Sequence, residues 1–117
     1  MFRSMAQTTL RPWQRVRAGA DFQRVYAARK AVHTPLVTLA YCPNSLGFSR
    51  LGLSVGVKHG NAVRRNRIKR VFRAAFREVR EALPAGFDYV LIPRKMTEDF
   101  SSADVQRSLL DAVDKIR

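Results

Sequence analysis

Residues 62–83 constrain the fold most strongly, because their apolar side chains recur at the spacing of an α-helix. At about 100° per residue, one stripe collects Ile68, Val71, Phe72, Ala75, Phe76, Val79, Ala82 and Leu83. Asn61 stands before the stretch as a good N-cap, and Pro84 and Gly86 follow it as stop signals. The pattern therefore predicts one long amphipathic helix, whose apolar side the rest of the chain must cover.

Residues 50–58 alternate in the manner of a half-buried β-strand. Leucines and valines occupy one predicted face, and Gly52, Ser54 and Gly56 occupy the other. Glycine weakens a strand, and one reason to keep it is the close approach of another chain or a ligand. A bulge, or tight packing by a neighbouring element of the same fold, explains the pattern equally well, so these interpretations stay open.

The other segments predict two more helices and two more strands. A short helix is expected over residues 21–26 with Asp21 as its N-cap, and strands are expected over residues 36–42 and 87–92. A last helix begins near Ser101 or Ser102, and its apolar side carries Val105, Leu109, Leu110, Val113 and Ile116. The 117 residues therefore predict one domain, an α/β sandwich of helices on a small sheet, with residues 1–18 as a basic N-terminal arm.

Positive charge is concentrated in two parts of the chain. The net charge is +13, of which residues 1–30 carry +6 and residues 58–80 carry +8, whereas residues 81–117 carry −2. Solvated helix faces usually mix both signs, so a solvated face is the weaker explanation. The distribution favours a surface that binds a polyanion.

The side chains at the start of the long helix carry the charge that the helix dipole disfavours there. Arg64, Arg65 and Arg67 crowd an end that prefers acidic neighbours, and the first acid of the helix is Glu78. Phosphates docked at this end would reverse the sign of the interaction, because backbone N–H groups and guanidinium forks would both point at anions. The segment predicts a nucleic-acid contact, with Asn66 available for a base edge or a 2′-hydroxyl.

Other classes of site have little support in the sequence. The single cysteine, Cys42, excludes an internal disulfide framework and fits a reducing cytoplasm. No carboxylate cluster has metal-ligand spacing, no apolar run could span a bilayer, and the two histidines are too few for an acid–base pair. His59 is interpreted as a solvated loop residue. We expect no catalytic residue, no metal or cofactor held by the protein, and no membrane partner.

Residues 60–70, GNAVRRNRIKR, closely resemble the arginine-rich signature of the bacterial ribonuclease P protein subunit. The resemblance extends to Asp21 and Phe22 with Tyr26 four residues on, to residues 50–55, and to a strand ending in Arg94 and Lys95. It implies an α+β fold with three helices, a four-stranded sheet and a left-handed βαβ crossover. General principles predict the opposite handedness.

The resemblance also implies the function. In this family a large RNA uses metal ions to cleave precursor tRNA, so the protein is an enzyme only as a subunit of a ribonucleoprotein endoribonuclease. Mg²⁺ is expected on the RNA, the location is the cytoplasm, and no obligate protein partner is expected. The protein binds the catalytic RNA and the 5′ leader of precursor tRNA, and so assists removal of the leader.

The implied contacts form two sets. The catalytic-RNA set is Lys58, Asn61, Arg64, Arg65, Asn66, Arg67, Lys69, Arg70 and Arg73. The leader set is Phe22, Tyr26, Ser54, Arg94 and Lys95. The main alternative is a structural RNA-binding protein of the ribosomal type. A DNA-binding protein is a third possibility, but the basic helix lacks a recognisable turn-helix partner.

Overall fold

The computed structural model describes residues 15–16, 19–94 and 100–116. Within these residues the chain forms three α-helices and a four-stranded sheet. The elements, in chain order, are α1 (Gly19–Ala27), β1 (Ala31–His33), β2 (Val37–Pro43), β3 (Arg50–Leu53), α2 (Ala62–Val79), β4 (Phe87–Pro93) and α3 (Ser102–Ile116). Two 3₁₀ turns, Val57–His59 and Arg80–Ala82, flank α2. The predicted α+β class is confirmed. Most of the predicted N-terminal arm lies outside the described residues.

The sheet mixes antiparallel and parallel pairing. Its strand order is β1-β2-β4-β3. Strand β2 pairs antiparallel with both β1 and β4, whereas β3 pairs parallel with β4. Two neighbouring parallel strands need a crossover, and α2 provides it. The left-handedness of this crossover stays an implication of the family resemblance. Strand β1 could not be predicted from the sequence. It has three residues, of which only Val32 is buried, and so short a segment shows no recognisable alternation.

One face of the sheet packs against α2 and α3 and forms the main core. Leu39, Leu51, Tyr89 and Leu91 come from the strands, and the predicted stripe of α2 covers them with Ile68, Phe72, Ala75, Phe76 and Val79. Helix α3 adds Val105, Leu109 and Val113. Leu110, which we predicted on the apolar side of α3, is instead 43% exposed. At 100° per residue, Leu110 lies about 130° around α3 from the centre of its buried residues, so it belongs to the side turned away from the core.

The other face of the sheet is partly covered by α1. Val25, Ala40 and Val90 form a small buried cluster there, with Phe22 and Ile92 half-buried beside it. The helix begins at Gly19, so the predicted N-cap, Asp21, lies in the first turn instead. Its carboxylate faces two arginines, as described below.

Strand β3 is shorter than its alternation predicts. The strand ends at Leu53, and Val57, predicted on a buried face, is 80% exposed in a 3₁₀ turn. The Ser54 N–H still donates to the Leu91 carbonyl at 3.0 Å. The next bond along this parallel ladder needs the backbone N–H of residue 93, which is a proline. The ladder stops at this point because Pro93 has no backbone N–H to donate.

Candidate nucleic-acid interface

The N-terminus of α2 has the predicted cap. The side-chain oxygen of Asn61 accepts a hydrogen bond from the Arg64 N–H at 3.0 Å. Gly60 before it has φ +115°, a backbone conformation that favours glycine, and a Cβ there would stand 2.6 Å from Cδ of Arg64. Gly60 therefore lets the chain turn into the helix and lets the Arg64 side chain lie across the turn.

Two arginines of the helix start are held by contacts other than ion pairs. Nε of Arg65 donates to the Gly60 carbonyl at 3.1 Å. The guanidinium carbon of Arg67 lies 5.0 Å from the centroid of the Phe100 ring, a cation–π contact. Both contacts restrain the side chain, and neither arginine belongs to an ion pair formed within the described residues.

The acidic side chains that form ion pairs in the described part of the chain do so with arginines outside the predicted catalytic-RNA set. The ion pairs there join Arg24 and Arg50 to Asp21 and Asp88, and Arg107 to Asp104. None of those pairs includes Arg65, Arg67 or Arg70. Asn66 and Arg70 are exposed on the side of α2 that faces away from the core.

A cavity of about 270 Å³ lies beside α2, on the side facing α1. Lys69 and Arg73 line it together with Arg15, Phe22 and Gly52. Burial lowers the pKa of Arg73, and the positive charges of Arg15 and Arg77 lower it further. An anion in this cavity would relieve the repulsion between these cations.

The two aromatic residues of the leader set lie next to each other on α1. The ring centroids of Phe22 and Tyr26 are 6.4 Å apart with an interplanar angle of 47°. Tyr26 is 39% exposed, whereas Phe22 is half-buried because its ring packs over Gly52. For Gly52, packing by a neighbouring element is therefore the correct explanation. Gly56 has nothing within 4 Å of where its Cβ would be.

A larger cavity of about 730 Å³ lies between the sheet and the start of α2. Lys58 and Arg64 of the catalytic-RNA set line it, as does Arg94 of the leader set. Nη1 of Arg94 donates to the Thr34 carbonyl at 2.9 Å, which fixes its guanidinium at the rim. Ser54 is half-buried next to the ladder end, and Lys95 lies outside the described residues. Each cavity thus brings together residues of both predicted sets.

His59 is buried, so its interpretation as a solvated loop residue was wrong. It is 8% exposed, because the 3₁₀ turn after β3 carries it against the end of β4. Burial and the neighbouring Lys58 charge lower the pKa of His59, and a hydrogen bond to the Pro93 backbone partly opposes them. His33 lines the same cavity, and its Nδ1 lies 3.0 Å from Oγ1 of Thr38.

Sequence reasoning also missed a buried charge cluster under α1. Asp88 on β4 is fully buried, and Arg50 binds it through Nε at 2.8 Å and Nη2 at 2.6 Å. Asn44 donates to it at 2.9 Å, and Arg24 of α1 donates to it as well. Burial alone would raise the pKa of Asp88, but the hydrogen bonds from Arg50 and Asn44 and the charges of Arg50 and Arg24 outweigh it. The pKa therefore lies below its usual range.

Two other kinds of feature are absent from the described ranges. No group of three or more His, Cys, Asp or Glu side chains there could hold a metal ion. No helix within those ranges combines the length and apolar character needed to cross a membrane.

Comparison with known proteins gives a consistent result. A model of the ribonuclease P family matches residues 10–117. The ribonuclease P protein component of Thermotoga maritima is 36% identical over 107 residues, which cover 88% of this chain and 92% of that protein. The protein component of Syntrophus aciditrophicus is 38% identical over 105 residues, covering 90% of this chain and 88% of that one.

Solved structures agree with these relatives. The RNase P protein from Thermotoga maritima superposes with a TM-score of 0.79 at 34% identity, covering 88% of this chain and 97% of that chain. The RNase P protein of Staphylococcus aureus superposes with a TM-score of 0.72 at 36% identity, covering 88% of this chain and 94% of that chain.

Proposed function

The chain belongs to the ribonuclease P protein family, and from this premise we propose that it binds both the catalytic RNA of that ribonucleoprotein and the 5′ leader of precursor tRNA. As a protein component of ribonuclease P it has an RNA partner and takes part in tRNA processing. In our proposal the RNA hydrolyses the phosphodiester bond with Mg²⁺, and the protein holds no metal and contributes no reacting group. It works in the cytoplasm and needs no other protein.

The proposal rests mainly on three cations near the start of α2 and on their place outside the ion pairs. Arg65, Arg67 and Lys69 lie in none of the ion pairs formed within the described residues. Guanidinium groups that lack an acidic partner among the described residues, next to backbone N–H groups of a helix start, are well suited to phosphates. We assign the predicted catalytic-RNA set to this surface.

The leader is proposed to lie on the sheet face beside α1. Tyr26 offers an exposed ring for stacking on a base, which tolerates different base sequences. Arg94 supplies a cation at the rim of the larger cavity, and Ser54 lies near the ladder end. Because each cavity joins the two residue sets, a leader on this face would continue directly from RNA bound at α2.

Reconstitution with a ribonuclease P RNA tests the proposal. Cleavage of precursor tRNA is measured against Mg²⁺ concentration, with and without the chain. We expect the chain to lower the Mg²⁺ concentration needed, because its cations screen the repulsion between two RNAs. An unchanged Mg²⁺ dependence would contradict the proposal.

A second substrate separates the leader role from general RNA binding. A precursor with a one-nucleotide leader should gain less affinity from the chain than a precursor with a long leader. Equal gains for both substrates would favour the structural RNA-binding alternative.

A further inference from the structure

Helix α1 has a much smaller apolar contact with the sheet than α2 has. Val25 is its one fully buried residue, whereas five residues of α2 are buried. Apolar contact is not directional, so the contacts of Val25 and of the half-buried Phe22 ring leave part of the restraint on the rotation of α1 about its own axis to polar groups. That rotation determines where Phe22 and Tyr26 point.

Polar contacts on one flank of α1 restrain its rotation about the helix axis. Arg24 reaches Asp88 on β4, and its Nη1 also donates to the Pro43 carbonyl on β2 at 3.0 Å. Asp21, one turn earlier, lies 3.6 Å from Nη2 of Arg50 on β3. Two side chains of α1 therefore reach three strands, with the fully buried carboxylate of Asp88 at the centre.

The aromatic rings lie on the opposite flank of the same helix. At 100° per residue, Arg24 and Asp21 fall on one side of Val25, and Phe22 and Tyr26 fall on the other. A side chain about 6 Å from the helix axis moves roughly 2 Å when the helix rotates by about 20°. Such a displacement is enough to separate a ring from a stacked base.

We propose that Arg24 and Asp88 are positioning residues for leader recognition, which hold α1 at the rotation that presents Phe22 and Tyr26. The inference rests on the proposed function, because it takes the leader to lie on this face. Neither residue needs to touch RNA. The Asp88 carboxylate is fully buried and the Arg24 side chain is 38% exposed, and in our proposal this pair fixes the arrangement of α1 instead of adding much net stability.

Arg24→Gln tests the pair with little risk to the fold. Asp88 keeps its two bonds from Arg50 and its bond from Asn44, so its charge stays compensated. The dissociation constant of the reconstituted holoenzyme is measured for precursor tRNA and for mature tRNA. We expect Arg24→Gln to weaken precursor binding about tenfold and to leave mature tRNA binding unchanged.

Two further variants serve as controls. Arg107→Gln makes the same substitution in an ion pair on α3. The Arg107 side chain is 71% exposed, and its loss should change neither dissociation constant. Arg24→Lys keeps the charge and should recover part of the lost affinity. Asp88→Asn should reproduce Arg24→Gln, provided that circular dichroism shows the fold retained.

A variant that combines three substitutions distinguishes positioning from direct contact. If Arg24 acts through the rings, Arg24→Gln should have little further effect once Phe22→Ala and Tyr26→Ala have removed them. Full additivity would overturn the positioning role, as would unchanged precursor binding in Arg24→Gln. A different result would contradict the proposed function itself. In that result, the ratio of the dissociation constants for precursor and mature tRNA would be the same for wild type and for Tyr26→Ala.

Discussion

The ring of Phe22 lies against Gly52 so closely that a Cβ on residue 52 would stand 2.9 Å from Cζ of Phe22. Cβ of Val16 would be 3.0 Å away on another side. The glycine therefore lets α1 approach β3 with an aromatic ring between them. Because the same ring lines the cavity that holds Lys69 and Arg73, this contact links the leader side of the molecule to the arginine-rich helix.

Gly52→Ala should displace the Phe22 ring and weaken precursor tRNA binding. Overpacking at such a contact costs about 1 to 3 kcal/mol of folding free energy, so the free energy of unfolding is measured in urea alongside the binding constants. Gly56→Ala is the matched control, since nothing lies within 4 Å of its added Cβ. If Gly52→Ala and Gly56→Ala gave equal precursor affinity, Phe22 would not depend on Gly52.

Arg65→Ala combined with Arg67→Ala should weaken binding to the catalytic RNA and flatten its salt dependence. Each lost phosphate contact lowers the slope of log K against log salt by about 0.7 to 0.9, so the pair should lower it by about one to two units. Binding is titrated at several salt concentrations. Arg107→Ala with Lys115→Ala removes the same charge from α3, and a slope change as large as that of the first pair would show that only net charge counts.

The main elements were predictable because their signals are local. The stripe of α2 extends from Ile68 to Val79, and the cap at Asn61 depends on residues three positions apart. The arginine-rich start of the helix was readable for the same reason. What its cations face was not predictable, because each cavity is completed by distant residues such as Phe22 and Arg94.

The buried cluster around Asp88 had no local signal at all. Its partners Arg50, Asn44 and Arg24 are 38, 44 and 64 residues away along the chain. An aspartate within a strand looks like a solvent-facing residue until the tertiary fold brings arginines to it. Likewise, the end of β3 depends on Pro93 of a strand that follows only after α2.

Phe100→Leu should weaken RNA binding although Phe100 carries no charge. The ring holds the Arg67 guanidinium at 5.0 Å, and such contacts contribute about 0.5 to 1 kcal/mol at exposed sites. We expect a loss of roughly two- to fivefold in affinity, measured by titration with the catalytic RNA. Phe87→Leu removes a ring that packs on Tyr41 and Tyr89 instead and should not change the affinity. If Phe100→Leu were equally harmful in an Arg67→Ala background, the ring would not act through Arg67.

His59 should make the folded state less stable below neutral pH. Its pKa is lowered in the folded protein by burial and by Lys58, whereas the unfolded chain has the ordinary value of about 6.5. As the pH falls through 6.5 the unfolded state binds the proton first, so the free energy of unfolding decreases, by at most about 1.4 kcal/mol per pH unit. Urea unfolding at pH 5.5 and 7.5, at constant ionic strength, measures this loss. His59→Gln keeps a donor for Pro93 but cannot titrate in this range, so its stability should fall less between the two pH values. An equal decrease in His59→Gln and wild type would assign the loss to other groups.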